Sequence, residues 1–114
     1  MRKKSKVTAE MLLDMATDGL LYDCYQVILD NGKHPFESIK RGENNGVPFI
    51  EFNNLAAASE GNIRKFFNEK PWLADMIIVE YQKFQMLLMC RVYLKAEKKD
   101  YDFWYGYLMM KQNG

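Results

Sequence analysis

The sequence predicts a mainly α protein: a small helical domain of four to five helices, with a helix-turn-helix-like unit and one long central helix. Three observations lead there. Apolar residues recur at three-and-four spacing from Ala9 to Ile28, a second and longer apolar pattern runs from Trp72 to Lys98, and an aromatic-rich segment closes the chain. With 48% hydrophobic and 14% aromatic residues in 114, the chain carries enough apolar surface to fold around one core and too little length for two ordinary domains. The expectation is one domain over 1–114, with 1–7 a basic, disordered tail and 33–48 a loop.

The first helix is read from Ala9 to Ile28 on Leu12, Leu13, Ala16, Leu20, Cys24 and Val27. Thr8 is its expected N-cap and Asn31-Gly32 its stop, with Asp18-Gly19 marking a break midway. From Lys33 to Pro48 the turn formers Pro35, Gly42, Asn44-Asn45-Gly46 and Pro48 predict a loop, with a helical turn near Phe36 to Ile39. The Asn-Gly pair also allows a hairpin with Phe49, Ile50 and Phe52, but helix is preferred there. A short helix follows at Asn62 to Glu69, ended by Lys70-Pro71. Trp72 to Lys98 reads as the longest helix, with one stripe through Leu73, Ile77, Tyr81, Phe84, Leu88 and Val92, and a second through Trp72, Met76, Val79, Met86, Cys90 and Tyr93. A helix apolar on two faces is buried on both, by its neighbours or by a second subunit. Lys98-Lys99 is the hinge into a short aromatic helix at Asp100 to Met110.

Composition narrows the function classes. Sixteen basic against fifteen acidic residues leave no global field to draw the chain onto nucleic acid or an anionic membrane. Cys24 and Cys90 lack the pairing of a metal knuckle and read as buried thiols. Thr8, Glu10 and Asp14 interrupt any signal peptide, and Asp75, Glu80, Lys83 and Arg91 break the most apolar stretch below bilayer length, so a cytoplasmic protein is expected, in the host cell if viral. The sole histidine, His34, precedes a proline without a Ser or Cys partner, and Gly42 and Gly46 form no phosphate loop. Two distant cysteines and one histidine make no zinc site, and the acidic residues make no calcium loop. The expectation is a non-enzymatic protein with no catalytic residue, metal or cofactor.

One segment carries a functional suggestion. Asn54 to Phe67 has small residues at Ala56 to Ala58 for a close helix crossing, Ser59 as a cap, and Ile63 with Phe66 or Phe67 as core anchors. Asn62, Arg64 and Lys65 then face outward as DNA contacts, Asn and Arg for base edges and Lys for phosphate. The alternative is a plain helix crossing with a polar outer face. Lys3 and Lys4, in the cluster Arg2, Lys3, Lys4 and Lys6, add phosphate contacts or are a solvated terminus; Arg91, Lys95, Lys98 and Lys99 form a second cluster.

The order of this unit, then Asn68-Glu69-Lys70-Pro71-Trp72-Leu73, a long helix, Glu97-Lys98-Lys99-Asp100 and an aromatic helix resembles the small terminase subunits of tailed phages, over roughly Phe49 to Lys111. The resemblance implies recognition of viral DNA for packaging, a homo-oligomer, and handover to a large motor subunit. A rival reading is a small phage-encoded protein-interaction module, an inhibitor of a host protein or a virion assembly factor, anchored by Trp104, Tyr105 and Tyr107 because aromatic and Met side chains favour interfaces. A third is a repressor using the same unit on a palindromic site.

Overall fold

The computed structural model describes residues 7–21 and 39–113. The elements are α1 (Ala9–Ala16), β1 (Ile39–Asn44), β2 (Val47–Ala56), α2 (Glu60–Asn68), β3 (Ile77–Phe84), β4 (Leu87–Leu94) and α3 (Tyr101–Asn113). Single 3-10 turns cover Ala57–Ser59, Pro71–Asp75 and Lys98–Asp100, and residues 18–21 are again helical after Thr17. The four strands form one antiparallel sheet in the order β1-β2-β4-β3. The expectation of a mainly α, all-helical domain is therefore overturned; this is a mixed α/β fold.

Several local readings hold. Thr8 caps α1, its Oγ1 accepting from the Met11 backbone N–H at 3.1 Å, and the break at Asp18-Gly19 lies beside the turn at Thr17. A helix spans most of 62–69, the chain turns at Pro71, and the aromatic helix is α3. The predicted end of the first helix at Asn31-Gly32, the turn near Phe36, His34, Cys24, Lys3 and Lys4 lie outside the described residues.

Two larger readings fail for physical reasons. The segment given as loop and helix between Gly42 and Ala56 is a hairpin closed by Asn45 (φ 56°) and Gly46 (φ 83°), both in the left-handed region that a two-residue turn of matching twist requires. The long central helix is a short turn followed by the β3–β4 hairpin. Its two apolar stripes do not correspond to two faces of the sheet: Ile77, Tyr81, Leu88 and Val92 of the first and Val79 and Cys90 of the second share the core face, and on β4 Leu87, Met89, Arg91 and Tyr93 alternate with the buried residues on the other side. With β2 a strand, the helix-turn-helix loses its first helix, and Ser59 makes no side-chain cap to α2.

Among the described residues, α1, α2 and α3 all contribute to one core on one side of the sheet. Ile50 pairs with Val92, Phe52 with Cys90, Leu55 with Leu88, and Ile77 with Leu94, so these buried residues share a face. Leu12, Leu13 and Ala16 of α1, Ile63 and Phe66 of α2, and Leu108 of α3 close over them. A bulge keeps β2 on that face throughout. Between the pairs Phe52–Cys90 and Leu55–Leu88, two residues of β2, Asn53 and Asn54, oppose the single Met89 of β4, and Asn54 takes φ 61° to absorb the extra one. Without it Leu55 would point to the opposite side.

Candidate functional site

The opposite sheet face carries a row of alternating charge, Lys40, Glu51, Arg91 and Glu80, one from each strand in sheet order. Glu51 is only 7% exposed and is the acceptor at its centre. Asn53 Nδ2 donates to it at 2.7 Å, and Arg91 donates through Nε at 2.9 Å and through Nη2. Arg91 Nη1 donates to the Tyr93 hydroxyl at 2.9 Å, and its guanidinium lies 4.6 Å from the Phe49 ring centroid. Burial pushes the Glu51 carboxyl up, but the hydrogen bonds from Asn53 and Arg91 and the Arg91 charge outweigh it, and the carboxyl stays below its ordinary 4.5. A carboxylate with a depressed pKa adds stability that is complete above pH 4.5 and is lost as pH falls through the lowered value. Glu51→Gln is thus expected to flatten the acid limb of stability against pH below 4.5 in denaturant titrations, and an unchanged slope would contradict the placement. The two positive and two negative groups of this row cancel, so it offers no electropositive platform for phosphate.

The structure places the three described members of the predicted DNA-contact set on the outer side of α2. Asn62, Arg64 and Lys65 are all exposed there. Arg64 is already engaged: its Nε lies 2.7 Å from Glu60 Oε2, and its guanidinium stacks 4.1 Å from the centroid of Tyr81. Glu60 also holds Lys83 at 3.0 Å, and the hydrogen bonds from Lys83 and Arg64 keep its carboxyl below the usual range. Tyr81, half-buried under this group, has its hydroxyl pushed by burial up to about 12. These contacts bind α2 to β3, so Arg64 serves internal structure.

A groove of about 400 Å³ between α1 and the β1–β2 hairpin is lined by Thr8, Glu10, Arg41 and Phe49. Arg41 spans to Glu10 at 3.2 Å and Asp14 at 2.8 Å, a salt-bridged brace between elements. Among the described residues no group of three or more His, Cys, Asp or Glu is placed to hold a metal ion, and no helix is long and apolar enough to cross a membrane.

The most distinctive surface is α3. Leu108 on its inner side is fully buried, and Tyr101, Trp104 and Tyr105 are half-buried beside the core. Yet its outer side is also apolar: Phe103 is 65% exposed, Met110 63% and Met109 40%. Between the two sides four rings form a continuous cluster. Trp72, from the Pro71–Asp75 turn, meets Tyr107 edge-on at 5.8 Å, Tyr107 meets Trp104 at 5.6 Å, and Phe103 lies 5.3 Å from Trp104. Phe103 also stacks on Tyr107 at 6.4 Å with 14° between planes. Both tryptophans of the chain belong to this cluster. Of the three anchors expected from sequence, Trp104 and Tyr107 are in it, while Tyr105 is half-buried against the core. Phe103, Met109 and Met110 were not singled out. Their signal was a helix apolar all round, which exceeds what one core contact needs. The tip of the β3–β4 hairpin adds a smaller apolar patch, with Phe84 71% and Met86 81% exposed.

No family model, curated protein or solved structure matches this chain.

Proposed function

We propose that this chain is a non-catalytic protein-interaction module that docks through the outer side of α3, acting in the cytoplasm. The observation that carries the reading is a single helix with Leu108 fully buried on one side and Phe103 and Met110 more than 60% exposed on the other. Exposed apolar area of this kind is unfavourable in water and becomes favourable only when another surface covers it. Aromatic and Met side chains suit that use: Phe, Trp and Tyr supply rigid area, and the Met thioether adapts to a partner's contour. The underlying ring cluster holds Phe103 in place, so little conformational freedom is lost on docking.

DNA recognition of the small-terminase kind has less support. Asn62 and Lys65 are exposed on α2, but the preceding helix that would seat α2 in a groove is a strand, and Arg64 is committed to Glu60 and Tyr81.

The test is a paired variant, Phe103→Glu with Met110→Glu. Both side chains are exposed, so the thermal midpoint should move little. The protein that co-purifies with the tagged wild type, whether another species or another copy, should be lost from the variant. Retention of the same bound protein by a folded variant overturns the reading.

A further inference from the structure

We propose that the free edge of β3 takes up an extended segment of a partner protein as a fifth, antiparallel strand, with apolar side chains at alternate positions and a carboxylate that meets Lys70. This surface is separate from the outer side of α3 and does not depend on the role assigned there.

The sheet ends at β1 on one side and β3 on the other, and the two edges differ. β1 carries Lys40, Arg41 and Glu43 among its six residues, charges of the kind that discourage pairing with a further strand. β3 begins Ile77-Ile78-Val79, and Glu80 is the one charge before Tyr81. The phase of the ladder shows which groups of β3 are open. The Lys95 N–H donates to the Met76 carbonyl at 2.8 Å, one step beyond the Ile77–Leu94 pair. Bonded and non-bonded pairs alternate in an antiparallel ladder, so Ile77, Val79 and Tyr81 turn their N–H and C=O away from β4. Among the described residues no backbone group of another element meets them. Such a row is completed by the backbone of another extended chain.

The side chains of the same three residues lie on the core face, beside α2. Toward the hairpin tip α2 is tied to β3, with Arg64 over Tyr81 and Glu60 paired to Lys83. At the opposite end a groove of about 210 Å³ opens between them, lined by Phe67, Leu73, Ala74, Ile77 and Val79. That is below the roughly 300–1,000 Å³ of a small-molecule pocket and suits apolar side chains instead. Residues directly opposed in an antiparallel pair project to the same face. Side chains of an added strand that oppose Ile77 and Val79 therefore enter this groove, and the pairing ends at Tyr81, before Gln82. Edge and groove thus select the same residues of the partner, those whose N–H groups point at β3.

Charge selects the source of the segment. Lys70 is the one charged residue lining the groove. Its ammonium rests 3.7 Å from the Phe66 ring centroid, and among the described residues no carboxylate is paired with it. A second copy's β3 would present Ile77, Val79, Tyr81 and Lys83 on this side, with no carboxylate and a further cation. The occupant is therefore a segment of a different protein, with an acidic residue following its apolar pair.

Fluorescence polarisation of a labelled peptide, Thr-Val-Thr-Val-Thr-Glu-Thr, against the full chain tests this. Wild type should bind it with a dissociation constant on the order of 100 µM. Methylating the two valine nitrogens removes donors that face β3 and should weaken binding at least about tenfold. Methylating the threonine nitrogens beside them, which face away, should change it by less than about threefold. Lys70→Glu should weaken this peptide about threefold and favour the version with lysine in place of glutamate. Phe103→Glu with Met110→Glu should bind the peptide as wild type does, so failure of either docking surface leaves the other standing. No binding by wild type at about 1 mM, equal loss from both methylated sets, loss from the threonine set alone, or a folded Lys70→Glu variant with unchanged charge preference overturns the proposal. A wild type that dimerises alone and is returned to single mass by the peptide shows a second copy at the edge, and also overturns it.

Discussion

Phe52→Ala is expected to lower unfolding stability by about 3–5 kcal/mol, a large part of the roughly 5–15 kcal/mol a domain of this size possesses. Phe52 is fully buried in β2, with Ile39 beside it on β1 and Cys90 beside it on β4. Its ring fills the middle of the sheet's core face, so truncation loses both burial and contacts and leaves a cavity among strands that cannot easily collapse. The companion measurement is Phe84→Ala. On the helical reading Phe84 shared a stripe with Ile77, Tyr81 and Leu88; in the sheet it ends β3 and is 71% exposed. Its removal should change stability by no more than about 0.5 kcal/mol. Denaturant unfolding followed by circular dichroism separates the two, and a large loss at Phe84 with a small one at Phe52 would contradict the strand register.

Gly19→Ala should destabilise the fold by about 1–3 kcal/mol, although glycine to alanine in a helix ordinarily stabilises by about 0.5–1 kcal/mol. The sign reverses because the new methyl would sit 2.0 Å from Cε1 of Phe66. That ring has nowhere simple to go. It is 8% exposed, meets Phe67 edge-on at 4.9 Å, and carries the Lys70 ammonium 3.7 Å above its centroid. The close approach is what lets the segment after α1 rest on α2. Shortening the ring should relieve the clash, so Gly19→Ala in a Phe66→Leu background is expected to cost less than in wild type. Equal losses in the two backgrounds would mean that the ring and the glycine are not in contact.

The parts of this fold legible in the sequence are those specified locally. The Thr8 cap, the stop at Lys70-Pro71 and the aromatic helix each rest on a few adjacent residues, and each is present. The first hairpin was visible as an alternative because Asn45-Gly46 is a residue pair suited to two left-handed positions. The second hairpin had no such mark. Its turn places Gln85 at φ 57°, a residue type that gives no warning of the left-handed region, and β4 after it carries apolar side chains on both faces, Leu87 and Met89 on one and Leu88, Cys90 and Val92 on the other. Alternation that is apolar on both sides fits helical stripes as well as a pleat. In β2 the bulge at Asn54 shifts the core positions from Ile50 and Phe52 to Leu55, breaking the period of two that identifies a strand.

The candidate site divides the same way. The apolar character of α3 was plain from residues 100–110, but which side its neighbours leave open depends on α1, on the sheet and on Trp72, none of which is local to it. The Glu51–Arg91 pair joins residues forty positions apart and became visible only through the β2–β4 register. Arg64 shows the reverse case. Its outward position on α2 was anticipated, but its engagement by Tyr81 follows from β3 being a strand.

The central claim is that the outer side of α3 works pressed against another protein. A photoreactive phenylalanine analogue replacing Phe103, irradiated in the living cell, tests it most directly, with the same analogue at exposed Gln82 of the open sheet face as reference. The account predicts protein adducts at position 103 and few at 82. No adduct at 103, or equal yields at the two positions, would contradict it.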